Sequence, residues 1–267
     1  MRTIVITGAN TGIGAACAVQ LAAPGTHLVL ACRTEAKAAP VLDAVRAAGA
    51  SASFLALDLS DLASATKAGA ALAAEHASID VLVNNAGVAG QRGTTRDGFE
   101  LAFGVNHLGH FAFTRPLLSA IERVRGRVVN VSSGNHYTAR AIPWDRLREP
   151  TRSYTGLPEY GVSKLCNVLF TAELRRRFPA ITATSMNPGR IRSDIWQRRM
   201  PAPLLAVFER VVPMQTVDVG GARLVHAVTC EDPPLYLDKL AARAANPLAL
   251  REDLGLELWR FSDAATS

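Results

Sequence analysis

The chain has 267 residues, of which 49% are hydrophobic, 19% charged and 6% aromatic. That size suits one large domain, and that apolar content excludes a disordered chain. The formal charge of +6 is spread along the chain, densest at Arg175-Arg176-Arg177; a nucleic-acid site would gather it among aromatics, so the charge reads as solvated surface and no nucleic-acid partner is expected.

Met1-Arg2-Thr3 runs straight into Ile4-Val5-Ile6, so no signal peptide is expected. From there short apolar runs alternate with segments of helical period. Strands are expected at 4–6, 28–31, 53–57, 81–83, 128–131 and 181–186, with helices at 12–23, 35–48, 61–76, 99–123 and 158–178. The pair Ser60-Asp61 supplies an N-cap for the third helix. Such alternation means an α/β fold, a doubly wound parallel sheet with helices on both faces, whose ligands sit beyond the carboxyl ends of the strands. Two irregular stretches follow strands at that end. One is an insertion at 134–158, with Pro143, Pro150 and Pro158. The other is read as a lid at about 190–216, where Leu204, Leu205, Val207, Phe208, Val211 and Val212 make an apolar helical face beside Arg198, Arg199 and Arg210. Residues 256–261 read as a final docked helix. No apolar run approaches the roughly 18 residues of a membrane span, so no integral membrane association is expected. Cys17, Cys32, Cys166 and Cys230 form no CxxC pair, which points to a reducing cytoplasm rather than a disulfide framework or a zinc site.

The first strand leads into Thr7-Gly8-Ala9-Asn10-Thr11-Gly12-Ile13-Gly14 and then a helix. Glycines at 8, 12 and 14 allow a tight turn and a close approach to a pyrophosphate, which the helix N-terminus attracts. The second strand ends Ala31-Cys32-Arg33, with no acid before Glu35. A carboxylate there would hold the ribose 2′-hydroxyl of NAD, whereas an arginine accepts a 2′-phosphate. Arg33 is therefore read as the selector for NADP.

Tyr160 and Lys164 stand four apart on the helix after Pro158, so both project from one face. A phenol of pKa about 10 is a poor proton donor or acceptor at neutral pH unless a cation favours its phenolate. Lys164 provides that cation, and its donors also suit ribose hydroxyls. The fifth strand ends Asn130-Val131-Ser132-Ser133. A hydroxyl there can donate to a carbonyl oxygen as charge develops on it; Ser132 and Ser133 face opposite sides, and Ser133 is taken as the donor. His107 and His110 lack a third ligand and read as ordinary helix histidines, with no metal expected. Trp144, Trp196 and Trp259 read as packing residues.

Taken in order, Thr7-Gly8-x3-Gly12-Ile13-Gly14, Asn84-Asn85-Ala86-Gly87, Asn106, Ser133, Tyr160-x3-Lys164 and Pro188-Gly189 resemble the short-chain dehydrogenase/reductase superfamily. Ala31-Cys32-Arg33, Asp97-Gly98-Phe99-Glu100, the run from Val105 to Phe111 and Tyr160-Gly161-Val162-Ser163-Lys164-Leu165 are similar to its retinol-dehydrogenase and protochlorophyllide-reductase-like branch. The resemblance implies that residues 1–267 form a single Rossmann-like NAD(P)-binding domain. It implies that Asn85, Ala86 and Gly87 lie beside the adenosine half of the cofactor, and that Asp58 of Asp58-Leu59 accepts from the adenine amino group. Tyr160 and Lys164 would touch the cofactor as well as act in catalysis. Asn106 would hold a water in a proton relay from Lys164. Backbone at Pro188, Gly189 and Ile191, with the Ser193 hydroxyl, would meet the nicotinamide carboxamide or a nearby phosphate. Two departures stand out: the family usually has threonine where Ser193 stands, and 27 residues separate Ser133 from Tyr160, about twice the interval of many members though similar to the retinol-dehydrogenase-like branch.

The expected protein is thus a cytoplasmic oxidoreductase that prefers NADP(H) to NAD(H). It would move a hydride between nicotinamide and a carbonyl or alcohol of a bulky, lipophilic small molecule such as a secondary metabolite. The alternatives are reduction of a conjugated C=C bond and a non-catalytic NADP-binding sensor, though a sensor would be expected to lose the Tyr160–Lys164 pair. By analogy with the family, helices around 99–123 and 158–178 would pair in a homodimer.

Overall fold

A computed structural model describes residues 1–192 and 214–267. Its strands are β1 (Arg2–Thr7), β2 (Thr26–Cys32), β3 (Ser51–Ala56), β4 (Val81–Asn84), β5 (Arg127–Val131), β6 (Thr182–Asn187), β7 (Tyr236–Asp238) and β8 (Ala241–Ala242). They form one sheet in the order β3-β2-β1-β4-β5-β6-β7-β8, parallel throughout except for the final β7–β8 pair. The order reverses between β1 and β4, which opens a crevice at their carboxyl ends.

The helices are α1 (Gly12–Leu21), α2 (Glu35–Ala47), α3 (Leu62–Glu75), α4 (residues 101–122), α5 (Leu157–Arg177), α6 (Val217–Thr229) and α7 (Glu252–Thr266). Asp61 caps α3 by accepting from Ser64 N–H at 3.0 Å. Both faces of the sheet are covered, as the apolar strands require. Ile4 and Ile6 of β1 pack on one side with Leu28, Leu30, Val129 and Leu224. Val5 points to the other, with Leu72, Phe111, Phe170 and Trp259. Trp259 of α7 lies 5.1 Å from the Phe111 ring, and the Arg177 guanidinium stands 4.4 Å from the Trp259 ring centre. Among the described residues no helix is long and apolar enough to cross a membrane.

Four elements depart from the sequence reading. α4 is not a uniform helix: residues Gly104–Leu108 form a π turn and Arg115–Leu117 a 3₁₀ turn containing Pro116. α6 and the pair β7–β8 were not anticipated. Two glycines inside α6 argue against a helix by propensity, yet packing demands them, since a Cβ on Gly221 would come 2.7 Å from Ala16 Cβ of α1. The insertion contains two 3₁₀ turns, Gly134–Thr138 and Trp144–Arg146. It is tied down by the Thr151 hydroxyl donating to the buried Glu100 carboxylate, while Trp144 packs 5.5 Å from Phe261. Most of the expected lid, with Trp196, lies outside the described residues.

Candidate active site

The loop after β1 turns through Gly8 at φ +66° and Gly12 at φ +58°, left-handed backbone that glycine adopts without penalty. Gly8 N–H still pairs with Ala31 O of β2 at 2.8 Å. A Cβ on Gly14 would come 2.5 Å from Asn85 Nδ2 and 2.6 Å from Gly8 O. The result is a bare backbone cradle at the N-terminus of α1, and it fits the phosphates of a dinucleotide. Asn10 is half-buried and Thr11 is the exposed N-cap residue of α1. Ile13 meets α6, where a Cβ on Gly220 would stand 2.9 Å from Ile13 and 3.1 Å from Ile191.

The opposite rim, Asn85-Ala86-Gly87, hangs on Thr7. The N–H groups of Asn85 and Ala86 donate to Thr7 Oγ1 at 2.9 and 3.0 Å, and Asn85 Nδ2 donates to Thr7 O at 2.8 Å. Arg33 is exposed where β2 ends. Across from it, Asp58 accepts from Ser60 N–H at 3.0 Å and from the Ser60 hydroxyl at 2.7 Å. Partial burial raises the Asp58 pKa, but these bonds and the charges of Arg33 and Arg96 bring it below the usual carboxylate value. Leu59 is buried against α4, where a Cβ on Gly109 would meet Leu59 O at 2.4 Å.

Lys164 is only 3% exposed. Its Nζ donates to Val131 O at 2.9 Å and stands 5.6 Å from the centre of the half-buried Tyr160 ring. Burial pushes Lys164 down to about 7, so near neutral pH it is divided between ammonium and amine, and a developing phenolate favours the ammonium. A Cβ on Gly87 would lie 3.0 Å from Asn106 Oδ1 and 3.5 Å from Lys164 Nζ, so the rim of the cradle touches both. Asn106 sits in the π turn of α4. Its Oδ1 accepts from Val88 N–H at 2.8 Å, and its Nδ2 donates to Val88 O and Ser163 Oγ, each at 2.9 Å.

Ser132 and Ser133 point apart. The Ser132 hydroxyl is buried and donates to Lys164 O at 2.9 Å. Ser133 is half-buried and heads the 3₁₀ turn, its Oγ accepting from Asn135 N–H at 3.2 Å. This turn packs on α5 one residue beyond Tyr160, since a Cβ on Gly161 would come 2.7 Å from Thr138 Oγ1. Pro188 O accepts from Arg223 at 2.7 Å, and Gly189 N–H donates to Asn187 Oδ1 at 3.0 Å. Ile191 is buried and bridges Gln215, whereas Ser193 lies outside the described residues.

Sequence reasoning missed the residues that hold these groups in place. His136 is wholly buried; its Nδ1 donates to Ser133 O at 2.7 Å and its Nε2 accepts from Asn246 N–H at 3.1 Å. Asn246 Nδ2 then donates to His136 O and Ala139 O, both at 2.9 Å. The two α4 histidines also differ from each other. His107 packs among Phe103, Phe111 and Phe170 and pairs with Ser262. His110 is not an ordinary helix histidine, because it bonds to Thr7 beneath the glycine loop. Only the helical position of His110 relative to Asn106 hinted at this, and nothing local revealed Asn246.

Comparisons with known proteins give the family and the fold. The short chain dehydrogenase family matches residues 2–142. Human retinol dehydrogenase 13 is 40% identical over 294 residues, spanning 98% of this chain and 83% of that protein. Human retinol dehydrogenase 12 is 35% identical over 273 residues, spanning 98% of this chain and 85% of that protein. Among solved structures, an uncharacterized protein from Mycobacterium paratuberculosis superposes with a TM-score of 0.78 at 31% identity, covering 100% of this chain and 93% of that one. A short-chain dehydrogenase from Sphingobium yanoikuyae in complex with NADPH shares the fold, with a TM-score of 0.72 at 24% identity over 98% of this chain and 96% of that one.

Proposed function

The chain belongs to the short-chain dehydrogenase family, and from that premise we propose that it is an NADPH-dependent reductase of bulky, lipophilic carbonyl compounds. The observation that carries this reading is Lys164. A buried ammonium held by Val131 O beside the Tyr160 ring, and touching the Gly87 rim of a phosphate cradle, is costly unless it serves chemistry.

A bound NADPH supplies the hydride. The backbone of Gly8, Gly12 and Gly14 and the N-terminus of α1 would hold its pyrophosphate, Asp58 and the Asn85–Gly87 rim would flank its adenosine, and Arg33 would pair with the 2′-phosphate. By the family resemblance, Pro188, Gly189 and Ile191 would border its nicotinamide end. Ser133 Oγ–H donates to the substrate carbonyl oxygen and polarises it. Tyr160 gives its proton to that oxygen, and Lys164 stabilises the phenolate left behind. Asn106, fixed by Val88 and Ser163, would hold a water in a relay from Lys164 to solvent that replaces the proton given by Tyr160.

For the substrate, support comes from the retinol dehydrogenases among the relatives and from the aromatic residues behind Ser133. There the His136 ring lies 3.9 Å from Tyr137 and 4.5 Å from Tyr236, and Tyr137 is exposed. The test is a panel of lipophilic ketones and aldehydes with NADPH or NADH, following cofactor absorbance. Turnover of bulky members with NADPH, and weak turnover of small ones, is expected. Preference for NADH, or for short hydrophilic carbonyls, contradicts the reading.

A further inference from the structure

His110 is 2% exposed and adds a second tie between two parts of the site that otherwise meet only where the Asn106 side chain bonds Val88. Its Nε2 lies 2.8 Å from Thr7 Oγ1 and its Nδ1 lies 3.0 Å from the carbonyl oxygen of Asn106. The proton positions follow from valence. A carbonyl only accepts, so Nδ1 carries the hydrogen and Nε2 presents a lone pair. Thr7 Oγ1 already accepts from the N–H groups of Asn85 and Ala86, which occupies both its lone pairs, so its own hydrogen points to Nε2. Every donor and acceptor along this path is thereby matched. Burial, with Lys164 adding to it, pushes His110 down to about 4, so the neutral ring persists at neutral pH.

We propose that His110 is a positioning residue that ties the Asn85–Gly87 rim of the cofactor cradle, through Thr7, to the π turn carrying Asn106. Cofactor affinity and turnover are then set by one buried chain of hydrogen bonds, not by two separate sets. Removing the ring nitrogens releases the Thr7 hydroxyl to the more distant Val83 O, at 3.4 Å, and loosens the rim and the Asn106 turn together. This inference rests on the NADPH reading above for its ligand.

The experiment measures NADPH dissociation constants by fluorescence titration, and kcat at saturating NADPH, for His110→Phe, Thr7→Val, the double variant and His107→Phe. His110→Phe keeps the ring volume; it is expected to weaken NADPH about tenfold and to lower kcat by a similar factor. The double variant is expected to bind no more weakly than Thr7→Val alone, because both changes break the same path. His107→Phe, a change on the same helix as His110 that removes a buried bond to Ser262 of α7, is expected to lower the Tm while leaving NADPH affinity within about twofold. Wild-type affinity in His110→Phe, multiplying effects in the double variant, or an equal loss in His107→Phe overturns the proposal. A second measurement needs no variant and no cofactor: ¹⁵N NMR of the wild-type protein at pH 7 is expected to show His110 neutral with hydrogen on Nδ1. The other tautomer, or an imidazolium, overturns the proposal, whereas a wild-type protein that binds no NADPH defeats the cofactor reading and leaves the NMR test standing.

Discussion

Replacing Lys164 with methionine is expected to stabilise the protein while abolishing turnover. The ammonium is buried, and its pKa falls from 10.5 in the unfolded chain to about 7 in the native site. At about 1.36 kcal/mol per pKa unit, the native state carries a penalty of roughly 4–5 kcal/mol for holding that charge. Methionine has similar length and no charge. It forfeits the bond to Val131 O, worth about 1 kcal/mol, but Asn167 Nδ2 still serves that carbonyl at 3.1 Å. The net gain is about 3–4 kcal/mol below pH 7. Between pH 7 and 10.5 the unfolded chain binds the proton and the native lysine has shed it, so wild-type stability climbs with pH across that window. The methionine variant lacks this climb. Its advantage is thus expected to shrink to about 1 kcal/mol at pH 9, where roughly 2 kcal/mol of the penalty is left. Urea unfolding at pH 6.5, 8 and 9, paired with an NADPH oxidation assay, measures both effects. A variant less stable than wild type at pH 6.5, or a gain that does not fade with pH, refutes the reasoning.

Arg33→Ala is expected to raise the KM for NADPH at least about tenfold while leaving that for NADH within about twofold, because only the 2′-phosphate loses its partner; initial rates with both cofactors measure this. Gly14→Ala forces a methyl within 2.5 Å of Asn85 Nδ2 and 2.6 Å of Gly8 O, and the latter is backbone that cannot swing aside. Urea unfolding is expected to show a loss of about 1–3 kcal/mol, and fluorescence titration NADPH affinity weakened at least about tenfold. Asn246→Ala removes two bonds that hold the turn after Ser133. Stability is expected to fall by about 2–3 kcal/mol and kcat to fall more than NADPH affinity, which steady-state kinetics separates.

The parallel sheet was legible because its strands are buried on both faces and therefore read as short, unbroken apolar runs such as Ile4-Val5-Ile6 and Val81-Leu82-Val83. Gly8, Gly12 and Gly14 were legible for a related reason: a chain that must turn back at left-handed φ and leave its backbone bare has few other residues to use. Features set by contacts between distant segments were not. Gly220 and Gly221 discourage a helix locally, and only the close approach of α1 explains them. β7 has three residues after Pro233-Pro234, too few to show a period, and it exists because β6 offers it a parallel edge. The π turn at 104–108 leaves the apolar pattern of α4 nearly unchanged, so a continuous helix was the natural reading. His110 looked ordinary for the same reason, since its partner Thr7 is 103 residues away.

The central claim is that the Tyr160 hydroxyl delivers the proton to a carbonyl, with Ser133 polarising that carbonyl and Lys164 stabilising the phenolate left behind. Tyr160→Phe deletes that oxygen and leaves the ring beside Lys164. The direct measurement is NADPH oxidation by this variant in the presence of a substrate the wild type reduces, alongside NADPH affinity by fluorescence titration. Affinity within about threefold of wild type, with turnover lowered at least about 10³-fold, is the predicted result. Turnover near the wild-type rate with the phenol gone contradicts the account.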